Sequence, residues 1–534
     1  MKKLLMSVAV FATALFANAQ TPADFVPYKS TKLRLPSVPL VVSDPYFSIW
    51  SPYDKLNDGD TRHWTNDEKP LEGLLRVDGK TYRFMGSKDK YLLESIVPMA
   101  DEVRWKAQYT RKNPGAGWEK PDFNASGWKE GEAAFGSPDL SFVSTRWSEE
   151  NSDLYVRRSF DLTEEDLKND LYLVYSHDDV FELFINGTSV VKTGETWREG
   201  IKLHLTDDMK KLLKPGKNVI ASHCHNTTGG AYTDFGLYKN LARSNEQIMQ
   251  AEQKSVSVLA TSSYYTFVCG PVELDVVFTA PMLINDYDLL SMPINYISYQ
   301  VRSTDKKTHD VQFYLSANPL QGVNKSSQPT ISSTVIKNGV KYLKTGTIDQ
   351  PILAKKGDGI CIDWGYFYMP NVNGNVSLAA ENTVKDTFLS TGELPVGENE
   401  IVCRKASQMP TLAYVHNFGN VTTASSFTML GYDEVQDIEY MYERYKGYWA
   451  HGGKVTIFDA FDRMKNSYSD LMAKCREFDK MIYDDGLKAG DVKYAEILSG
   501  SYRHVIAAHK LFQDKDGNLL FFSKENNSNG CVNT

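Results

Sequence analysis

Near the C-terminus, one short polar run holds Lys524, Glu525, Asn526, Asn527 and Asn529. A cation, a carboxylate and several amides gathered on a loop between rigid elements can bind and activate a polar substrate. Glu525 is the only carboxylate between Lys524 and Gly530, which makes it the candidate general acid or base, or a substrate anchor. Lys524 could pair with a substrate carboxylate, and Asn526 or Asn529 could orient an amide or hydroxyl. The bland alternative is a solvated loop charge. Arg62, His63 and Trp64, in FSIWSPYDKLNDGDTRHWT, could line a site at a sheet edge, with Arg62 and Trp64 touching substrate, or could belong to a loop around a buried tryptophan. His223 and His225 flank Cys224 and share one face of a strand, a spacing a metal pair could use. No third ligand is near in sequence, so hydrogen-bonding histidines are the better reading and no metal or cofactor is invoked. Asp178 and Asp179 could bind a sugar hydroxyl or calcium, or end a strand. Trp147 and Trp197 could stack on a pyranose ring or pack in a core. No serine or threonine sits in a nucleophile motif such as G-x-S-x-G.

The elements that would position the Glu525 loop are legible. Asp491 can cap a helix carrying Ala495, Leu498, Tyr502, Val505, Ile506 and Phe512 at three- and four-residue steps. Glu496 and Arg503, seven residues apart on that helix, are expected to pair. Asp516-Gly517 turns the chain into the apolar run Leu519 to Phe522, which leads to Lys524. Upstream, Phe461, Met464, Tyr468, Leu471, Cys475, Phe478 and Ile482 predict a helix about 40 Å long, broken between Asp484 and Gly490. Asp433 with Gln436 predicts a capping box for a short helix toward Tyr448.

Before residue 431 the period is two. LLRVDGKTYRF is a hairpin through Asp78-Gly79, and VELDVVF, NYISYQVRS, HDVQFYLSA and TLAYVHNF alternate as half-buried strands. Residues 30–100 and 244–430 therefore read as one discontinuous β-sandwich, interrupted by a separate β domain at 101–243. Within that domain, DLYVRRSFDL, LYLVYSHDDVFELFING and LLKPGKNVIASHCHN turn through Asn186-Gly187 and Pro215-Gly216. Residues 431–534 read as the start of a helical domain. Two helices cannot enclose a core, so that domain is expected to continue beyond Thr534, or the chain to be a truncated gene product.

Composition bounds the rest. The 534 residues are 42% hydrophobic and 24% charged, an ordinary globular balance with room for several cores. Lys2-Lys3, the apolar run Leu4 to Phe16 and Ala17-Asn18-Ala19 read as a signal peptide over residues 1–19, so the mature protein is expected in the periplasm or outside the cell. No later run could span a bilayer as a helix. Without Lys2 and Lys3 the formal charge of −8 becomes −10, which disfavours nucleic acid and anionic membranes as partners. The six cysteines are scattered, which excludes a zinc ribbon or a disulfide-dense miniprotein. The expected partner is a small-molecule or glycan substrate, and the sequence leaves the oligomeric state open.

Two resemblances add to this reading. The order of motifs in 101–243 is similar to the galactose-binding-like jelly rolls attached to many glycoside hydrolases. DPYFSIWS, DTRHWT, GLLRVDGKTYRFMG and SYRHVIAAHKLF…GNLLFFSKENNSNG resemble the glutaminase A family, exported glutaminases of fungi and their bacterial relatives. This second resemblance covers nearly all of the mature chain outside the jelly roll. It implies a β-sandwich followed by an (α/α)6 six-hairpin toroid, and cofactor-free hydrolysis of the side-chain amide of L-glutamine to glutamate and ammonia. The same scaffold also hosts glycoside hydrolases that use two carboxylates, and a noncatalytic carbohydrate-binding protein is a third possibility.

Overall fold

In this computed structural model the described residues are 22–89, 91–138, 143–242, 247–355 and 360–523. The expected signal peptide, Lys524, Glu525, Asn526 and Asn529 lie outside them. All structural statements below concern the described residues.

Asp78 and Gly79, at φ 48° and 82°, make the tight turn between the strands Leu71–Val77 and Lys80–Met85. This hairpin joins a six-stranded sheet in the order Met249–Gln250, Lys80–Met85, Leu71–Val77, His309–Ala317, Pro410–Val421, Asn375–Ala380. Chain from before and after residues 93–240 thus shares one sheet, with Val77 opposite Val311. A nine-stranded sheet, from Glu252–Val258 at one edge to Glu400–Cys403 at the other, lies against it. Phe84, Phe267, Phe313, Tyr299 and Trp364 fill the space between the two sheets, and the rings of Tyr299 and Phe313 stack at 3.8 Å. Helix α1 (Glu381–Thr391) covers the outer face of the six-stranded sheet through Val384 and Phe388. Beside it Glu72, Arg83 and Lys385 form a buried ion triad.

Residues 93–240 build two further six-stranded sheets around their own core of Trp105, Phe135, Trp147, Leu154, Phe181 and Phe235. Strand pairing begins ahead of Asp101, because Leu93–Val97 pairs with Tyr232–Asn240. The chain enters and leaves this unit at one place: Leu241 N donates to Leu92 O at 2.9 Å. One charged link to the sandwich is Lys202 with Glu68, at 2.6 Å.

Helices α2 (Ile457–Asn466) and α3 (Tyr468–Ala489) pack Phe461, Met464, Tyr468 and Leu471 on the outer face of the nine-stranded sheet, against Tyr296, Tyr342 and Tyr368. The single long helix expected from Phe461 to Ile482 is divided at Ser467, whose ψ of 9° is not helical, and α3 runs past Asp484 to Ala489. Helix α4 (Val492–Ile506) is capped by Asp491, which accepts from Tyr494 N. It stops before Phe512, which lies instead in the strand His509–Gln513, paired with Leu519–Ser523. The helix expected toward Tyr448 is also absent: Ile438–Tyr440 and Glu443–Tyr445 form a hairpin. Tertiary contact decides this, because Tyr440 and Tyr445 pack on Phe512 at 5.9 and 5.3 Å. The expected Glu496–Arg503 pair is not made. Glu496 accepts from Lys32 N and Leu33 N, whereas Arg503 is fully buried and donates to Pro39 O, Leu259 O and Ser263 Oγ. Each side chain serves an orphaned backbone group on a different segment.

Candidate functional site

Arg62 and Trp64 both lie among the described residues, and both are partly committed to structure. The Arg62 guanidinium donates to Tyr53 Oη at 3.2 Å and Asn66 O at 2.7 Å, and lies 3.6 Å from Glu68. The Trp64 indole N–H donates to Pro45 O at 2.6 Å while its ring stays 47% exposed. His63 is fully buried between them. Burial, with Lys69 nearby, pushes its pKa down to about 3, so it is neutral. His223 Nε2 and His225 Nδ1 both meet Asp153 Oδ1, at 2.7 and 3.1 Å, a hydrogen-bonding arrangement. No group of three or more His, Cys, Asp or Glu among the described residues is placed to hold a metal ion. Asp179 accepts from Thr227 N at 2.8 Å, and Asp178 is pushed up to about 6 by burial and the adjacent carboxylate. Trp147 is core, whereas Trp197 is 61% exposed.

The densest buried chemistry lies elsewhere, where the strand Thr423–Asp433 runs out toward the helices. Asp433 Oδ1 accepts from Val435 N at 2.9 Å, and Gln436 N donates to Glu434 O at 2.6 Å. This three-residue turn holds Val435 at φ 64°, the rare left-handed form and a strained one for a β-branched residue. The turn aims Glu434 and Asp437 at the same point. Lys510 occupies that point, its Nζ 2.6 Å from Glu434 Oε1, 2.9 Å from Asp437 Oδ1 and 3.1 Å from Asp44 Oδ2. None of the four side chains is more than 4% exposed. Burial opposes the lysine charge, but the three carboxylates outweigh it and raise its pKa well above the ordinary value. Asp44 also accepts from Tyr46 N and Phe47 N. The cluster therefore ties the N-terminal loop, the end of the sandwich and the 509–523 hairpin together. Asp437 Oδ2 has no partner among the described residues.

Beside the cluster opens a groove of about 430 Å³ lined by Gln436, Arg444, Lys446, Gly447, His451, Lys454 and Asp514, among others. Gly447 separates the two: a Cβ there would stand 2.9 Å from Asp437 Oδ1. The groove carries three permanent cations against one carboxylate, although the whole chain is acidic. That carboxylate, Asp514, accepts from Asp516 N, Asn518 N and Asn518 Nδ2 within its own turn. Arg444 pairs with Glu439 at 3.1 Å, and His451 faces Asp288 at 2.9 Å. Neither Lys446 nor Lys454 makes an ion pair or a side-chain hydrogen bond among the described residues. Gln436 Oε1 is buried there without a donor. Such a groove, of ligand size and with convergent polar groups, suits a small anionic molecule. Sequence reasoning missed it because Asp44, Glu434, Asp437 and Lys510 belong to no short motif; Val435, between Glu434 and Gln436, carries no sequence signal of its strain.

Residues 8–98 match a domain of unknown function (DUF4964), residues 261–485 a second domain of unknown function (DUF5127), and residues 491–534 the Glutaminase A six helical-hairpin domain. Glutaminase A of Aspergillus oryzae is 25% identical over 319 residues, 57% of this chain and 44% of the relative. The chain thus spans under half the length of this curated relative. Among solved structures, a calcium-binding mutant of Bacteroides uniformis β-glucuronidase 2 is 10% identical with a TM-score of 0.22, over 40% of this chain and 33% of that one. Ruminococcus gnavus β-glucuronidase in complex with D-glucaro 1,5-lactone is 11% identical with a TM-score of 0.22, over 55% and 47%. In sequence the chain is thus similar to glutaminase A, and its residues 491–534 match the six-helical-hairpin domain.

Proposed function

We propose that this protein is an exported hydrolase that cleaves the side-chain amide of L-glutamine to L-glutamate and ammonia. The observation that carries this reading is the match of residues 491–534 to the Glutaminase A six helical-hairpin domain, in a chain related to glutaminase A over 319 residues. In this reading Glu525 is the general acid or base, Lys524 is a polar contact to the substrate, and Asn526 and Asn529 orient the amide. Arg62 and Trp64 also touch the substrate, Trp64 through its exposed ring face. The chain's residues 1–19 direct it out of the cytoplasm, and no described helix is long and apolar enough to cross a membrane. The test is ammonia release from L-glutamine, with Glu525→Gln expected to lower turnover by about 100-fold or more. Full activity in that variant rejects the role of Glu525, and no release by the wild-type chain rejects the activity.

A second reading, glycoside hydrolysis, is favoured by one observation: the jelly-roll unit presents Trp197 with 61% of its surface exposed, a ring face of the kind that stacks on sugars. Glycan cleavage without ammonia release would select it.

A further inference from the structure

We propose that the groove beside the Lys510 cluster binds the amino-acid end of the substrate, with Lys446 and Lys454 holding its α-carboxylate and Gln436 Oε1 receiving its ammonium. The inference rests on the glutaminase reading for the identity of the amino acid; the site itself rests on geometry. Lys446 and Lys454 are the two lining cations with no carboxylate partner among the described residues. Arg444 is held by Glu439, and His451 by Asp288. Two ammonium groups without a direct ion pair line one groove and attract an anion, Lys446 also feeling the Asp433 carboxylate, and the groove's single acid, Asp514, is engaged by its own turn.

The second demand comes from Gln436. Its Oε1 is buried at the groove with no donor among the described residues, so its desolvation stays uncompensated until a ligand brings a donor. The Gln436 backbone is fixed: its N–H donates to Glu434 O at 2.6 Å and its C=O accepts the Trp364 indole N–H at 3.0 Å. The strained Val435 fixes the direction in which Gln436 leaves the chain. Cations for a carboxylate and an acceptor for an ammonium, in the lining of one groove of about 430 Å³, match the two charged groups of an α-amino acid. A sugar presents hydroxyls and no such pair.

Titration calorimetry on the full chain tests this, with L-glutamate, glutarate and inorganic phosphate as separate probes. L-Glutamate is expected to bind, and the Lys446→Met/Lys454→Met double variant to weaken it by about tenfold or more. Neither lysine makes a direct ion pair or side-chain hydrogen bond among the described residues, so the double variant should keep a melting temperature close to that of the wild type. Gln436→Leu should weaken L-glutamate several-fold and leave glutarate, which has no amine, unchanged. No L-glutamate binding to the wild-type chain, equal binding to the double variant, equal loss of glutarate in Gln436→Leu, or phosphate as tight as L-glutamate would each overturn the proposal. Ammonia release separates the two readings. L-Glutamate binding without turnover removes the hydrolase reading and keeps the groove, whereas turnover with an unchanged KM in the double variant removes the groove and keeps the hydrolase.

Discussion

Lys510 is one cation set against three carboxylates in a place water does not reach. Removing it leaves Asp44, Glu434 and Asp437 facing one another in a low dielectric, so Lys510→Met should cost about 3–5 kcal/mol in urea unfolding at neutral pH. The loss should shrink on acidification, as the orphaned carboxyls take up protons; a variant whose deficit is the same at pH 5 and pH 8 would contradict the assignment. Gly447 tests the same packing from the other side. Its φ of −54° and ψ of 152° are open to any residue, so space alone requires glycine there. Gly447→Ala would press a methyl group to 2.9 Å from Asp437 Oδ1, and a loss of about 1–3 kcal/mol is expected. Wild-type stability in Gly447→Ala would show that the wall is looser than it looks. At this scale sequence reading succeeds only where the chemistry is local. Asp491 as a helix cap and Asp78-Gly79 as a turn depend on neighbours three residues away or fewer. The Lys510 cluster depends on three segments meeting, and Arg503 with Glu496 shows the converse, a helical spacing overruled by distant backbone groups.

Helices α3 and α4 dock on the sandwich through a second buried charge. Asp479 on α3 is fully buried and accepts from Thr261 N at 2.6 Å and Thr261 Oγ1 at 2.9 Å. Burial pushes its pKa up to about 7, against the lowering effect of these hydrogen bonds and of Arg503 on α4. Cys475 and Tyr264 also face it, and burial raises both of their pKa values, so neither ionises near neutrality. The folded value lies above the ordinary value of about 4, so the folded state holds a proton that the unfolded state has released. The stabilising contribution is therefore full below about pH 4 and is lost as pH rises through about 7. Asp479→Asn, which keeps the carbonyl that accepts from Thr261, should flatten this part of the stability profile in denaturant titrations from pH 4 to 8. An unchanged slope would sink the assignment. The same docking explains what could be read of the helices. Their apolar stripes were visible because they pack on a sheet, as Phe461 and Tyr468 do. Residues 433–445 misled because Asp433 and Gln436 fit a capping pattern, while the hairpin they enter is held by Phe512 and Phe522 from farther along the chain.

For the molecule as a whole, period-two alternation and the Asn-Gly and Pro-Gly turns announce β architecture, but no local pattern says that Leu71–Val77 lies between Lys80–Met85 and His309–Ala317. That order has a consequence. The six-stranded sheet is completed by chain on both sides of residues 93–240, while those residues close their own two sheets over their own core. The unit is therefore a candidate for clean removal, and Leu241 N at 2.9 Å from Leu92 O supplies the junction. Joining Leu92 directly to Leu241 deletes the strand Leu93–Val97 together with its partner Tyr232–Asn240, so no edge of the sandwich is left half-paired. The severed Lys202–Glu68 bridge is partly solvated, with side chains 25% and 31% exposed, and is worth at most about 1 kcal/mol. Shortening the connection also lowers the closure entropy of the sandwich slightly. The shortened chain should keep a single cooperative thermal transition and its full near-ultraviolet signal from Trp364 and Trp449, and residues 93–240 alone should fold as well. If the deletion abolishes cooperative unfolding, the jelly roll is a structural part of the sandwich. If both pieces fold, the proposed ammonia release can be tested on the sandwich with its helices and glycan binding on residues 93–240, each measured without the other.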